Sequence, residues 1–183
     1  MNKNRSQWLR KAIKRLLLPK LKELGFEQRP LYDLERESRE LVVSFPFGRH
    51  FRQVQNGVEI IEVQMWGGGW AEFRVTFGLF PAVGIYGDSA WDKGVHYSID
   101  EAELSVLPIH MDLCRRGTKG GFFRIWYWPW QTPKPHDYER LVMDVVALLP
   151  QVDEALKTGK LGPNVYSPNL ELKKFLNKKN FWQ

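Results

Sequence analysis

The chain contains a single cysteine, Cys114, so no disulfide can form within it. That is ordinary in a reducing compartment and unusual for a small secreted protein. Long apolar runs are also missing. Nothing approaches the ~20 consecutive apolar residues that a membrane-crossing helix needs. The basic stretch from Met1 to Leu18 has an apolar core of only Leu16-Leu17-Leu18, stopped by Pro19, too short for a secretion signal of ~7–15 apolar residues. The expectation is therefore a cytoplasmic chain with no membrane association. Histidine is sparse: His50, His96, His110 and His136. Only His110 and Cys114 have ligand-like spacing, and only if their segment is helical. A zinc site takes three or four ligands, so neither a metal nor a cofactor is implied. Internal repeats and low-complexity segments are absent.

Motifs for covalent or phosphate chemistry are missing as well. There is no Gly-x-Ser-x-Gly elbow. Gly87-Asp88-Ser89 resembles the opening motif of one esterase family, but it lies mid-chain, and the nearest Asp/His pair, Asp92 and His96, has the wrong spacing. It reads as a turn, because these residue types satisfy turn backbones locally. Gly67-Gly68-Gly69 precedes a strand pattern, not the helix that completes a phosphate loop, so it reads as a hairpin turn. Gly117-Thr118-Lys119-Gly120-Gly121 also precedes a strand. Beside Arg115 and Arg116 it could form an anion-attracting loop.

What is present is enough for one folded unit. The 183 residues are 43% hydrophobic, ample for a core without disulfides or metal. The net charge of +6 is unevenly spread. Residues 1–24 hold eight Lys/Arg against one Glu, and residues 157–183 hold six Lys against one Glu. The stretch between is acidic, with 13 basic and 19 acidic residues. Such a layout suits nucleic acid only if the basic ends converge in space; otherwise it describes solvated helix faces and a tail.

Residues 6–24 read as an amphipathic helix through Leu9, Ala12, Ile13, Leu16 and Leu17, interrupted by Pro19 and ended by Gly25. Leu41, Val43 and Phe45 alternate as in a strand. Residues 58–79 read as a hairpin. Pairing Trp66 with Trp70 sets Met65 against Ala71, Val63 against Phe73, Ile61 against Val75, Gln64 against Glu72 and Glu62 against Arg74. One face is then apolar and the other carries an opposite-charge pair. Ser98 with Glu101 suggests the start of a short helix. Phe122–Trp128 reads as a central strand, with Phe123, Ile125 and Tyr127 on one side and Phe122, Arg124, Trp126 and Trp128 on the other. Residues 136–157 form the most regular helix, bent at Pro150 and ended by Gly159. A further helix is expected over 168–178. The fold class is α+β: an antiparallel β-sheet packed with an N-terminal helix and one or two C-terminal helices. Residues 1–166 form a single domain and 167–183 a basic C-terminal helix or tail.

The eight tryptophans are the least ordinary feature. Core packing explains tryptophans in strands; the alternative is an exposed aromatic groove for peptides, bases or sugars. The candidate binding residues are Trp66, Trp70, Glu72, Arg74, Arg124, Trp126 and Trp128. No catalytic residue stands out.

Leu17-Leu18-Pro19-Lys20-Leu21-Lys22-Glu23-Leu24-Gly25-Phe26, Phe73-Arg74-Val75-Thr76-Phe77-Gly78, and Leu113-Cys114-Arg115-Arg116 before Trp126-Tyr127-Trp128 together give a chain that resembles the bacterial family termed domain of unknown function 4304. The resemblance covers roughly residues 10–130. It implies an α+β domain with no established activity. The leading functional expectation is a non-enzymatic protein-interaction domain, antitoxin- or immunity-like, whose partner is another protein. The alternative is RNA or DNA binding through the basic ends and the aromatic strand, expected to be weak and non-specific. A third reading is a hydrolase or transferase using Glu62 and Glu72.

Overall fold

The computed structural model describes residues 3–66, 71–87, 93–102, 104–107, 110–116, 118, 121–128 and 130–167. The expected tail helix over 168–178 lies outside them. The chain opens with α1 (Lys3–Ala12), one π-helical turn (Ile13–Leu17) and α2 (Leu18–Glu23). Pro19 explains the wide turn. It has no N–H for the carbonyl of Arg15, and its ring would collide there. The chain accommodates it by an i→i−5 bond from Leu18 to Ile13, so the helix continues without breaking.

After β1 (Glu27–Arg29) come α3 (Asp33–Glu37) and α4 (Arg39–Ser44). The strand expected at Leu41–Phe45 is thus a helix. Ser38 caps it by accepting from the Leu41 N–H, and Val42 and Val43 lie exposed, so their alternation is not a core pattern. Strands β2 (Arg49–Val54), β3 (Gly57–Met65) and β4 (Glu72–Pro81) form the centre of an antiparallel sheet. The excursion that follows holds a small hairpin of β5 (Ile85–Tyr86) and β6 (His96–Tyr97), and two 3-10 turns, Ile99–Glu101 and Leu104–Val106. The first turn follows Ser98, where the short helix was expected. Asp88 and Ser89 lie outside the described residues. Gly87 exchanges backbone bonds with Val95 and Gly94 in the hairpin.

Then come β7 (Met111–Leu113), β8 (Phe122–Arg124), α5 (Pro135–Val146), α6 (Leu149–Thr158) and β9 (Val165–Tyr166). Pro150 cannot donate to Val146, and the expected single helix is divided there. Gly159 closes it in a left-handed conformation, φ 71°. The seven-stranded sheet runs β1-β2-β3-β4-β7-β9. β8 also pairs with β4, along the same edge as β7, so the chain leaves that edge after Leu113 and rejoins it at Phe122.

The hairpin register differs from the sequence reading. Met65 pairs with Phe73, Val63 with Val75, Ile61 with Phe77, Gln64 with Arg74 and Glu62 with Thr76. The Trp66 N–H donates to the Glu72 carbonyl, so the strands are last bonded at Trp66 and Glu72 and not across a three-residue loop. Side chains alternate with period two, so a two-residue slip keeps every residue on its face and the apolar pattern cannot detect it. Val63 and Phe73 are buried as expected, but Glu62 and Arg74 are not cross-strand partners.

The two faces of the sheet are covered differently. Ile61, Val63, Met65, Phe73, Val75, Phe77, Leu113 and Phe123 pack under the helices, against Leu9, Ile13, Leu17, Tyr138, Leu141, Val145 and Val152. The other face carries a smaller apolar cluster, Phe51, Val58, Ile60 and Phe80, closed over by Ala102, Leu104 and Leu107 of the excursion. Beyond that cluster the second face is polar.

Candidate functional site: an arginine and tryptophan cleft

The polar face is laid out by register. Arg49, Glu62, Thr76, Asp112 and Tyr166 are successive cross-strand neighbours over β2, β3, β4, β7 and β9. Gln64, Arg74 and Phe122 form the adjacent row. Glu72 and Arg124 pair in the next, with the Trp66 backbone bonded to Glu72. Directly opposed residues of an antiparallel sheet share a face, so all of these side chains stand on the side away from the helices.

Arg49, Glu62, Thr76 and Asp112 of the first row are buried and paired. Arg49 donates to Glu62 at 2.7 Å and to both oxygens of Glu35 at 2.6 Å. Burial works against its charge, but the two carboxylates outweigh it and hold its pKa above the usual value. Arg74 makes a bidentate pair with Asp112 (2.9 and 2.5 Å), and the Thr76 hydroxyl donates to the same carboxylate at 3.0 Å. His110 stands beside this pair. Burial lowers its pKa; Asp112 raises it and Arg74 lowers it further. Glu62 also lies within 3.5 Å of the Leu104 backbone N–H. Glu62 and Glu72, the carboxylates of the hydrolase reading, are each engaged by an arginine.

Past that row the face opens into a cleft of about 430 Å³ lined by Glu72, Arg74, Arg115, Thr118, Gly121, Phe122, Arg124 and Trp126. Arg124 lies 3.5 Å from Glu72, and its guanidinium sits 3.7 Å from the centre of the Trp126 ring. Arg115 donates to the Arg124 carbonyl at 3.0 Å, and among the described residues no carboxylate pairs with it. Three arginines thus face two carboxylates, Glu72 and Asp112. Gly121 is where the loop rejoins the sheet: a Cβ there would lie 2.6 Å from the Leu113 carbonyl, so a side chain would push β8 off its line.

Phe122 and Trp126 are the aromatic rings of the lining. Trp66 meets Phe122 edge-on at 5.4 Å, and Trp128 and Trp130 stack at 5.2 Å with planes 6° apart. Trp126, Trp128 and Trp130 are 69%, 63% and 76% exposed. Core packing therefore does not explain them. The strand expected over Phe122–Trp128 ends at Arg124 because β4 begins at Glu72, its partner. Residues 125–128 run past the end of β4; Ile125 stays packed against the core and Tyr127 half-buried, while Trp126 and Trp128 turn to the surface. Nor is the strand central: it lies along one edge of β4. The basic N-terminal helix reaches this region at one point, where Arg5 bonds the Tyr127 hydroxyl and stacks 4.6 Å from its ring centre.

Of the expected binding residues, Glu72, Arg74, Arg124 and Trp126 line one cleft, Trp66 touches it through Phe122, and Trp128 stacks on Trp130 outside the lining. Trp70 lies outside the described residues. Arg115, Thr118, Gly121 and Phe122 were not among the candidates, although the Arg- and Gly-rich composition of 115–121 signalled an anion-attracting loop. His110 and Cys114 do not share a helical face, since β7 is extended. Among the described residues no group of three or more His, Cys, Asp or Glu is placed to hold a metal ion. No described helix is long and apolar enough to cross a membrane. Comparison with known proteins returns no match: no family model fits the chain, and no curated protein or solved structure is similar to it.

Proposed function

We propose that this chain is a non-catalytic interaction domain of a bacterial cytoplasm, and that its arginine and tryptophan cleft holds an acidic, partly apolar segment of another protein. The observation that carries this is the exposed Trp126 ring against Arg124, in one cleft with Arg74 and Arg115, with the exposed Trp128 and Trp130 following in the chain. Tryptophan and arginine dominate the energetics of protein interfaces, and exposed aromatic patches of this kind mark docking surfaces. The acidic middle of the sequence does not argue against an acidic partner, because its carboxylates at this face are engaged by Arg49, Arg74 and Arg124. An antitoxin- or immunity-like role is one form of this activity, and the resemblance to domain of unknown function 4304 is compatible with it.

The test is quantitative affinity capture from the source cell with the native chain and with an Arg124→Ala/Trp126→Ala variant of unchanged fold. A partner enriched by the first and lost by the second supports the reading. Equal recovery with both overturns it.

A second reading, single-stranded nucleic acid, is favoured by the parallel Trp128–Trp130 stack and by the contact of Arg5 with Tyr127. Bases stacked on aromatic rings contribute ~1–3 kcal/mol each. It predicts binding to an oligothymidine that survives physiological salt and collapses with Trp126→Ala. The first reading predicts only weak binding, lost as salt rises.

A further inference from the structure

On the opposite side of the sheet, where α2 ends and β1 begins, a second and larger cleft of about 820 Å³ is lined by Lys14, Leu18, Pro19, Lys22, Phe26, Glu27, Gln28, Pro46, Phe47 and His50. We propose that it is a binding site for a small amphipathic anion, an apolar chain or ring ending in a carboxylate or similar group.

The walls supply the apolar half of the recognition. Leu18, Pro19, Phe26, Pro46 and Phe47 present hydrocarbon, and the volume falls within the ~300–1,000 Å³ of small-molecule sites. Lys14 and Lys22 are exposed and supply positive charge, with Glu27 the single opposing carboxylate in the lining. Gln28 is committed elsewhere, its amide donating to the Phe47 carbonyl at 2.6 Å.

His50 provides the independent sign of a ligand. It lines this cleft, its side chain is all but buried, and neither ring nitrogen has a hydrogen-bond partner among the described residues. The Ile61 backbone is near enough to favour the charged ring slightly but makes no hydrogen bond of normal geometry with it. Buried polar atoms are nearly always paired; both ring nitrogens are sealed from water and lack a normal hydrogen bond, so an anion seated in this apolar, lysine-flanked cleft would pair with the ring as the wall around it yields. This site lies across the sheet from the tryptophan cleft, because His50 pairs with Ile61 on the helix-covered face.

The test uses octanoate as probe and octylammonium as its charge-reversed control, followed through the imidazole C–H resonances of His50 in the native chain. Those resonances are assigned by their disappearance in His50→Leu, or by their low titration point if that variant does not fold. The expected result is a saturable shift with octanoate, roughly tenfold weaker with octylammonium and roughly tenfold weaker for octanoate in Lys14→Glu/Lys22→Glu, from loss of charge-assisted contacts. Trp126→Ala should leave it unchanged. Resonances that do not move, or that respond equally to both probes, overturn the proposal.

Discussion

On the helix-covered face of the sheet, residues such as Val63, Phe73 and Val75 are buried by side chains from α1, the π turn, α5 and α6. On the other face, the same strands carry Glu62, Arg74, Thr76 and Glu72, buried beneath the excursion at one end and open at the other. The first face is held by area removed from water, which is indifferent to register in steps of two. The second depends on which charge meets which, and register decides that. Here polar specificity, not hydrophobic pattern, distinguishes the true pairing from its near alternative, since only the observed one aligns Arg49, Glu62, Thr76 and Asp112 in one row.

The comparison is broken most strongly on the helix side. Phe73→Ala removes a fully buried ring that packs 5.6 Å from Phe123, and should cost about 4 kcal/mol in denaturant unfolding. Next comes the buried row: Arg49→Met leaves Glu35 and Glu62 without their guanidinium, at about 3 kcal/mol. If the row were ornamental, that variant would unfold like the native chain.

Acid sharpens the comparison, because His50 stands on the helix side. Burial lowers its pKa from 6.5 to about 4. Between those values the unfolded chain binds a proton that the folded chain refuses, so stability falls as pH drops from 6.5 towards 4, by roughly 2–3 kcal/mol, and the loss levels off below. His50→Leu should flatten that part of the pH–stability curve relative to the native chain. An unchanged slope would show that the ring is hydrated.

The smallest stability effect belongs to the open end. Trp126→Ala with Trp128→Ala should alter unfolding by less than about 0.5 kcal/mol, as for surface positions generally, while abolishing partner capture. A large loss of stability would place those rings in the fold and not in function.

The legible parts of the sequence were those set by periodicity: α1 through Leu9, Ala12, Ile13 and Leu16, α5 and α6 through Tyr138 to Leu156, and the buried face of the β3–β4 hairpin. Pro19 and Pro150 marked the right places, though Pro19 widened a turn and did not break the helix. The misreadings have physical causes. Alternation at Leu41–Phe45 lost to the Ser38 cap. The span of the hairpin turn was invisible to a pattern of period two. The strand at Phe122 ended where β4 had no more backbone to offer, and that ending exposed the tryptophans. Asp112 and Thr76 carried no local signal; only long-range pairing brings them to Arg74.

The charge at the tryptophan surface is where sequence and structure diverge most, because an acidic stretch of chain becomes an arginine-lined cleft once its carboxylates are paired. Tryptophan fluorescence quenching by iodide and by caesium reads that charge directly, each normalised to free N-acetyltryptophanamide. The account predicts an iodide-to-caesium ratio above that of the free compound, falling towards it with added salt and in Arg115→Gln/Arg124→Gln. A ratio at or below that of the free compound, unmoved by those substitutions, would contradict it.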